Sequence, residues 1–148
     1  MTKKELAGKY FEDGCNCCQA VLLAFSEEIG LSEKKALMLG STMGGGICRL
    51  REVCGAVSGM EMALGMIEGY SDIKDPQVKI ETYEKGQNLA EKFKEENGDI
   101  ICRNLLSLPE GKDSPIPEKR TEKYYKKRPC KELVESAAGI LEEYLKKE

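Results

Sequence analysis

The sequence predicts an all-α fold, a single-domain bundle of five or six helices spanning residues 1–148. Three observations carry this reading. Apolar residues recur at helical spacing in segment after segment, residues that cap and stop helices bound those segments, and no alternating run of five or more residues offers a strand.

The first helix is expected over about Lys3–Glu12, with Leu6, Tyr10 and Phe11 to one side and Asp13-Gly14 as its stop. Asn16 is a good N-cap for a helix reaching Ile29, in which Cys18, Leu22, Phe25 and Ile29 form an apolar stripe and Gly30 is the stop. Ser32-Glu33 opens a segment carrying Ala36, Leu37 and Leu39 that ends at Gly44-Gly45-Gly46. The triple glycine reads as an interhelical turn, or as backbone that must approach something closely; no Gly-Lys-Ser/Thr follows it, so it is not a P-loop.

The next helix starts near Arg51 or Glu52 and runs to Glu68, with Val53, Val57, Met60, Leu64 and Ile67 as its core stripe. Gly55, Gly59 and Ala63 recur every four residues as a smooth groove. Glycines in a helix cost about 1 kcal/mol each against alanine, so a close helix crossing is the expected compensation. Asp75-Pro76 caps and opens a helix to about Asn97-Gly98, with Tyr83, Ala90 and Phe93 inward and Ile80 and Leu89 beside them. A short helix follows Asp99, carrying Ile101, Cys102, Leu105 and Leu106, and the proline-rich stretch Pro109 to Pro117 forms a loop. The last helix opens at Pro129 and runs to Lys147 with Cys130, Leu133, Val134, Ala137, Leu141 and Tyr144 as its stripe.

A chain of 148 residues can bury a core without a disulfide staple. Its net charge of −3 gives no overall basic field, so neither nucleic acid nor a membrane is the expected partner. Residues 119–131 do concentrate Lys119, Arg120, Lys123, Lys126, Lys127, Arg128 and Lys131 around Tyr124 and Tyr125, a pattern that RNA-binding segments share. In an acidic chain a solvated basic face accounts for it better. The longest apolar run, Ala20 to Phe25, is too short to span a bilayer, and Met1-Thr2-Lys3-Lys4-Glu5 has no signal-peptide character. The expected location is therefore the cytoplasm, where thiols stay reduced.

Seven cysteines and no histidine set the chemistry: Cys15, Cys17, Cys18, Cys48, Cys54, Cys102 and Cys130. The count is odd, so a closed disulfide framework cannot use all of them. Free cysteine is a small core hydrophobe, which explains any one of them, but cytosolic enrichment on this scale points to metal or redox use. The absence of histidine removes Ser-His-Asp and Cys-His catalysis, mixed Cys/His zinc sites and His-ligated haem.

Four of the seven fall at expected helix starts: Cys17 after the Asn16 cap, Cys54 in a first turn, Cys102 after Asp99, and Cys130 after Pro129. Unpaired backbone N–H groups and the positive end of the helix dipole favour thiolate there, and the thiolate is both nucleophile and metal ligand. Cys130 also has basic neighbours that would lower it further. Cys15 and Cys18 form a C-x-x-C without the βαβ context of a thioredoxin-like motif, Cys17 and Cys18 point about 100° apart on a helix, and Cys48 and Cys54 flank the glycine loop.

The segments Asn16-Cys17-Cys18-Gln19-Ala20-Val21, Gly44-Gly45-Gly46-Ile47 and Cys54-Gly55-Ala56-Val57-Ser58-Gly59, followed by single Cys102 and Cys130, resemble the redox-active C-GCAxxG-C-C family over nearly the whole chain. The central motif reads C-G-A-V-S-G where the family's name has G-C-A-x-x-G. The matching cysteines are Cys17, Cys54, Cys102 and Cys130; Cys15, Cys18 and Cys48 are extras. The resemblance implies a redox role and a prokaryotic, anaerobe-type setting.

The function expected first is a thiol redox protein, an oxidoreductase if it is an enzyme. Two of the four helix-start cysteines would cycle between dithiol and disulfide with a third as resolving thiol, and the partner would be a redox protein or a small thiol or disulfide. Cys54 and Cys130 are the first choices for the reactive thiolates. One alternative is an iron–sulfur cluster or zinc held by Cys17, Cys54, Cys102 and Cys130, since soft thiolates select those metals. Another is a non-enzymatic helical interaction module with structural cysteines, its small-residue helix face admitting a second copy of the chain.

Overall fold

The computed structural model describes residues 1–147. It is 63% helix, and no strand forms among the described residues. Where five or six helices were expected, the described residues form nine: α1 Lys3–Glu12, α2 Cys17–Ala24, α3 Ser26–Ile29, α4 Glu33–Gly40, α5 Gly55–Glu68, α6 Pro76–Asn97, α7 Cys102–Leu105, α8 Glu122–Lys127 and α9 Cys130–Lys146. The higher count has identifiable causes. Phe25 leaves helical geometry (φ −109°, ψ 19°), which splits the expected Asn16–Ile29 helix into α2 and α3. The short α8 forms inside the basic stretch because Thr121 accepts the Tyr124 N–H and caps it.

Helix α2 is the centre of the molecule. Its apolar residues run right round it, so Cys18 and Ala20 to Ala24 are all buried and α1, α4, α5 and α9 pack about it. The expected close crossing is between α2 and α5. A Cβ on Gly59 would lie 2.9 Å from the Cys18 carbonyl oxygen and 3.1 Å from Val21 Cβ, so only glycine permits this approach. The α9 stripe is buried as expected through Cys130, Leu133, Val134, Ala137 and Leu141. Helix α6 departs from expectation: Leu89 and Phe93 are buried with Gly86, but Tyr83 and Ile80 face solvent. The approach of α6 to α5 is made at Gly86, where a Cβ would come 2.6 Å from Glu61 Oε2.

The expected start of α5 at Arg51 or Glu52 is also corrected. Residues 51–54 are pinned by a short antiparallel contact to residues 100–103. Cys54 N–H donates to Ile100 O (2.8 Å) and Cys102 N–H to Glu52 O (2.7 Å), around a single bridge between Val53 and Ile101. The helix begins only at Gly55, and Cys54 becomes its N-cap. This contact sets the starts of α5 and α7 side by side.

Candidate functional site

Each of the four selected cysteines stands at a helix start. Cys17 opens α2 behind a capping box in which Asn16 Oδ1 accepts the Gln19 N–H (2.8 Å) and Gln19 Oε1 accepts the Asn16 N–H (3.0 Å). Cys54 caps α5, Cys102 opens α7 and Cys130 opens α9. All four line one cavity of about 510 Å³. The remaining cysteines separate from this group. Cys18 is wholly buried against Met62, sulfur to sulfur 3.8 Å, and is core filler. Cys15 is half-buried outside the cavity lining. Cys48 is exposed at the cavity's edge, its thiol on Thr42 O at 3.3 Å.

The glycine triplet does approach something closely, and it is the site itself. A Cβ on Gly46 would fall 2.7 Å from Cys102 Cβ, and one on Gly44 would fall 2.8 Å from the Asn16 side chain. The chain then continues left-handed through non-glycine residues: Ile47, Cys48, Arg49 and Arg51 have φ of 66°, 48°, 63° and 62°. Such geometry costs about 1–2 kcal/mol per L-residue. It is held by tight backbone closures, among them Arg51 N–H to Gly45 O (3.0 Å) and Glu52 N–H to Gly46 O (2.9 Å). Its product is the placement of two guanidinium groups. Arg51 Nη2 pairs with Asp113 at 2.9 Å while its Nη1 reaches the Cys102 sulfur at 3.6 Å, and Arg49 Nη2 lies 3.2 Å from the same carboxylate.

Two further arginines come from the stretch expected to be a solvated basic face. Arg128 is only 6% exposed, pairs with Glu118 and borders the cavity. Arg120 lies 4.0 Å over the Phe11 ring and donates to the carbonyls of Phe11 and Cys15. These four arginines and Tyr124 line the cavity; the sequence offers the cations near Cys130, Arg128 among them, as groups that lower its thiol, but not as cavity walls. Their only signal there is charge placed next to Cys130 and next to the glycine triplet.

Burial outweighs the helix-start argument at two of the four thiols, Cys54 and Cys102. Cys54, 3% exposed, is pushed up to about 12 by burial; the Ala56 and Val57 amides at the helix start pull the other way and lose. Burial thus opposes the thiolate form expected at Cys54. Cys102 is raised by burial although Arg51 and Arg128 oppose it. Cys130 alone is lowered, to about 7, first by a hydrogen bond from the Cys17 thiol, with Tyr124, Arg128 and Arg51 adding to it against its burial. Cys17 is raised well above the ordinary thiol value by the same hydrogen bond, then by burial. The pair therefore gives up its first proton near neutral pH, from Cys130, and Cys17 keeps the other. Among the described residues, no group of three or more cysteine or carboxylate side chains is assembled to hold a metal ion.

An all-α, cysteine-rich domain with its helix starts gathered round one cavity is the class that fold and site define. The chain belongs to the family described as putative redox-active protein (C_GCAxxG_C_C), whose sequence pattern matches residues 15–144. No curated protein and no solved structure matches it. No helix among the described residues is long and apolar enough to cross a membrane.

Proposed function

We propose that the cavity is a dithiol/disulfide redox site whose working pair is Cys130 and Cys17. The observation that carries this reading is that Cys17 and Cys130, each at a helix start, line one cavity together with Arg51, Arg128 and Tyr124; the interaction of the two thiols raises Cys17 and lowers Cys130. The Cys130 thiolate attacks one sulfur of a disulfide, forming a mixed disulfide and releasing the first thiolate. Cys17 then attacks the Cys130 sulfur, closing a Cys17–Cys130 disulfide. The second leaving sulfur takes the proton from Cys17, so two electrons and one proton leave the pair in balance with one thiolate and one thiol released. Tyr124 steadies the Cys130 thiolate by hydrogen bonding, and Arg51 and Arg128 stabilise it by charge. Cys102, beside Arg51, is the third thiol the disulfide can pass to. This chemistry suits a reducing compartment such as the cytoplasm, with a redox protein or small disulfide as partner.

The test is anaerobic purification, metal analysis, then mild oxidation with peptide mapping. A metal-poor protein that reversibly loses two thiols and yields a Cys17–Cys130 cross-link supports the reading. A stoichiometric metal or cluster lost on mutation of Cys54 or Cys102, or a cross-link that excludes Cys130, overturns it.

A further inference from the structure

The cavity's charge is at odds with the molecule's. The chain carries a net −3, yet Arg49, Arg51, Arg120 and Arg128 line the cavity against a single carboxylate, Glu118. Asp113 lies outside the lining and is shared between Arg49 and Arg51. Arg120 is spent on two carbonyls and the Phe11 ring. Arg128 is left over: its Nη2 meets Glu118, but its Nη1 is buried with no hydrogen-bond partner. A guanidinium more than nine-tenths buried with an orphaned donor, bordering a cavity, carries a desolvation cost that an anion would relieve. Guanidinium groups also match carboxylates in geometry.

We propose that this cavity recognises an anionic small molecule, a low-molecular-weight disulfide bearing carboxylates, with Arg128 Nη1 as the carboxylate donor and Arg51 beside it. The proposal rests on the dithiol reading above and names its substrate class. A cavity of about 510 Å³ falls within the usual small-molecule range. Positive charge lining a concave site raises the local concentration of anions before any contact forms. It also keeps the thiolates that exchange releases inside a field that stabilises them.

The test uses the reduced full chain and three symmetrical disulfides of different charge: oxidised glutathione (anionic), hydroxyethyl disulfide (neutral) and cystamine (cationic). Each rate of thiol loss is divided by the rate of the same disulfide with a free reference dithiol, which removes leaving-group differences. The order expected is anionic, neutral, cationic, with the anionic compound ahead of the neutral one by about tenfold or more at low salt and the gap narrowing as salt is added. S-methylglutathione, which carries the charges but cannot exchange, is titrated separately by calorimetry against wild type, R128K and R128Q. Binding is expected to weaken in R128K and to be lost in R128Q, with circular dichroism confirming that both variants fold. Equal normalised rates with no S-methylglutathione binding overturn this proposal and leave the dithiol reading standing. Binding of S-methylglutathione without oxidation by any disulfide overturns the dithiol reading and leaves the anion site. If R128Q fails to fold, a wild-type preference that does not respond to salt overturns the charge-based recognition.

Discussion

Cys17 and Cys130, at the starts of α2 and α9, line one cavity, and the interaction between the two thiols raises Cys17 and lowers Cys130 to about 7. Either cysteine alone, at the same helix start, would be a buried thiol. On the proposed reading they act together as nucleophile and proton holder without a histidine, which the chain lacks.

The first prediction concerns that pair. Alkylation of Cys130 in the native protein, followed by mass spectrometry, is expected to titrate with a midpoint near the value of about 7 to which it is lowered. Replacing Cys17 by alanine removes the largest lowering influence, and Tyr124→Phe removes a smaller one, so both midpoints rise and the first rises more. An unchanged midpoint in Cys17→Ala would mean that the sulfurs do not share a proton.

Arg51 should act on Cys102 in the same sense. Its guanidinium is the chief influence holding Cys102 down against burial. Arg51→Gln is expected to raise Cys102 further and slow its alkylation at mildly alkaline pH, by about tenfold for each unit of rise. Asp113→Asn should change it less, because Asp113 pairs with Arg51 without touching the sulfur. Equal rates in wild type and Arg51→Gln would remove Arg51 from the site.

Alkaline stability follows from two other thiols. Cys54 and Cys18 are each pushed by burial from 9.0 up to about 12. A raised folded value gives stability that is fully present below the unfolded value and is lost as pH rises toward the folded one. Between pH 9 and 12 the unfolded chain ionises these thiols while the folded chain does not, at about 1.4 kcal/mol per pH unit for each. Cys130, depressed to about 7, contributes in the opposite direction: its stabilisation is present above 9 and lost as pH falls through 7. Urea midpoints should therefore fall steeply above pH 9 in wild type and less steeply in Cys18→Ala/Cys54→Ala. Parallel slopes in the two proteins would contradict the burial of these sulfurs.

How much of this could be read from the chain differs from residue to residue. Cys17, Cys54, Cys102 and Cys130 were selected by helix-start signals that are local, a cap or a proline next to a cysteine, and the structure lines one cavity with all four. Their protonation was not legible, because it depends on burial and on which sulfur meets which, and both are set by packing distant in sequence. Arg128 shows the limit best. Seven cations around one acid in residues 119–131 read as a solvated face, but the turn from α8 into α9 points Arg128 inward to Glu118. Periodicity registers apolar residues, and a buried arginine is invisible to it. The split between α2 and α3 had the same origin, since nothing local in Leu23-Ala24-Phe25-Ser26 marks the break at Phe25.

The last prediction separates glycines that the fold needs from one that it does not. Gly59 and Gly65 lie in the same helix, α5, both with ordinary helical φ. At Gly59 the added methyl would meet backbone, the Cys18 carbonyl oxygen at 2.9 Å, which no side-chain rotation can move. Gly59→Ala must push α2 and α5 apart, and overpacking of this kind costs about 1–3 kcal/mol. The same separation shifts the start of α2, so Cys17 should lose register with Cys130 and the midpoint for Cys130 alkylation should rise with the destabilisation. At Gly65 nothing lies within 4 Å of the new methyl and the site is exposed. Gly65→Ala gains helix propensity and loses nothing, for a stabilisation of about 0.5–1 kcal/mol with Cys130 unaffected. Thermal and urea unfolding of the two variants, read beside Cys130 alkylation, give the comparison; equal stability changes of the same sign would refute the tight α2–α5 crossing on which the cavity rests.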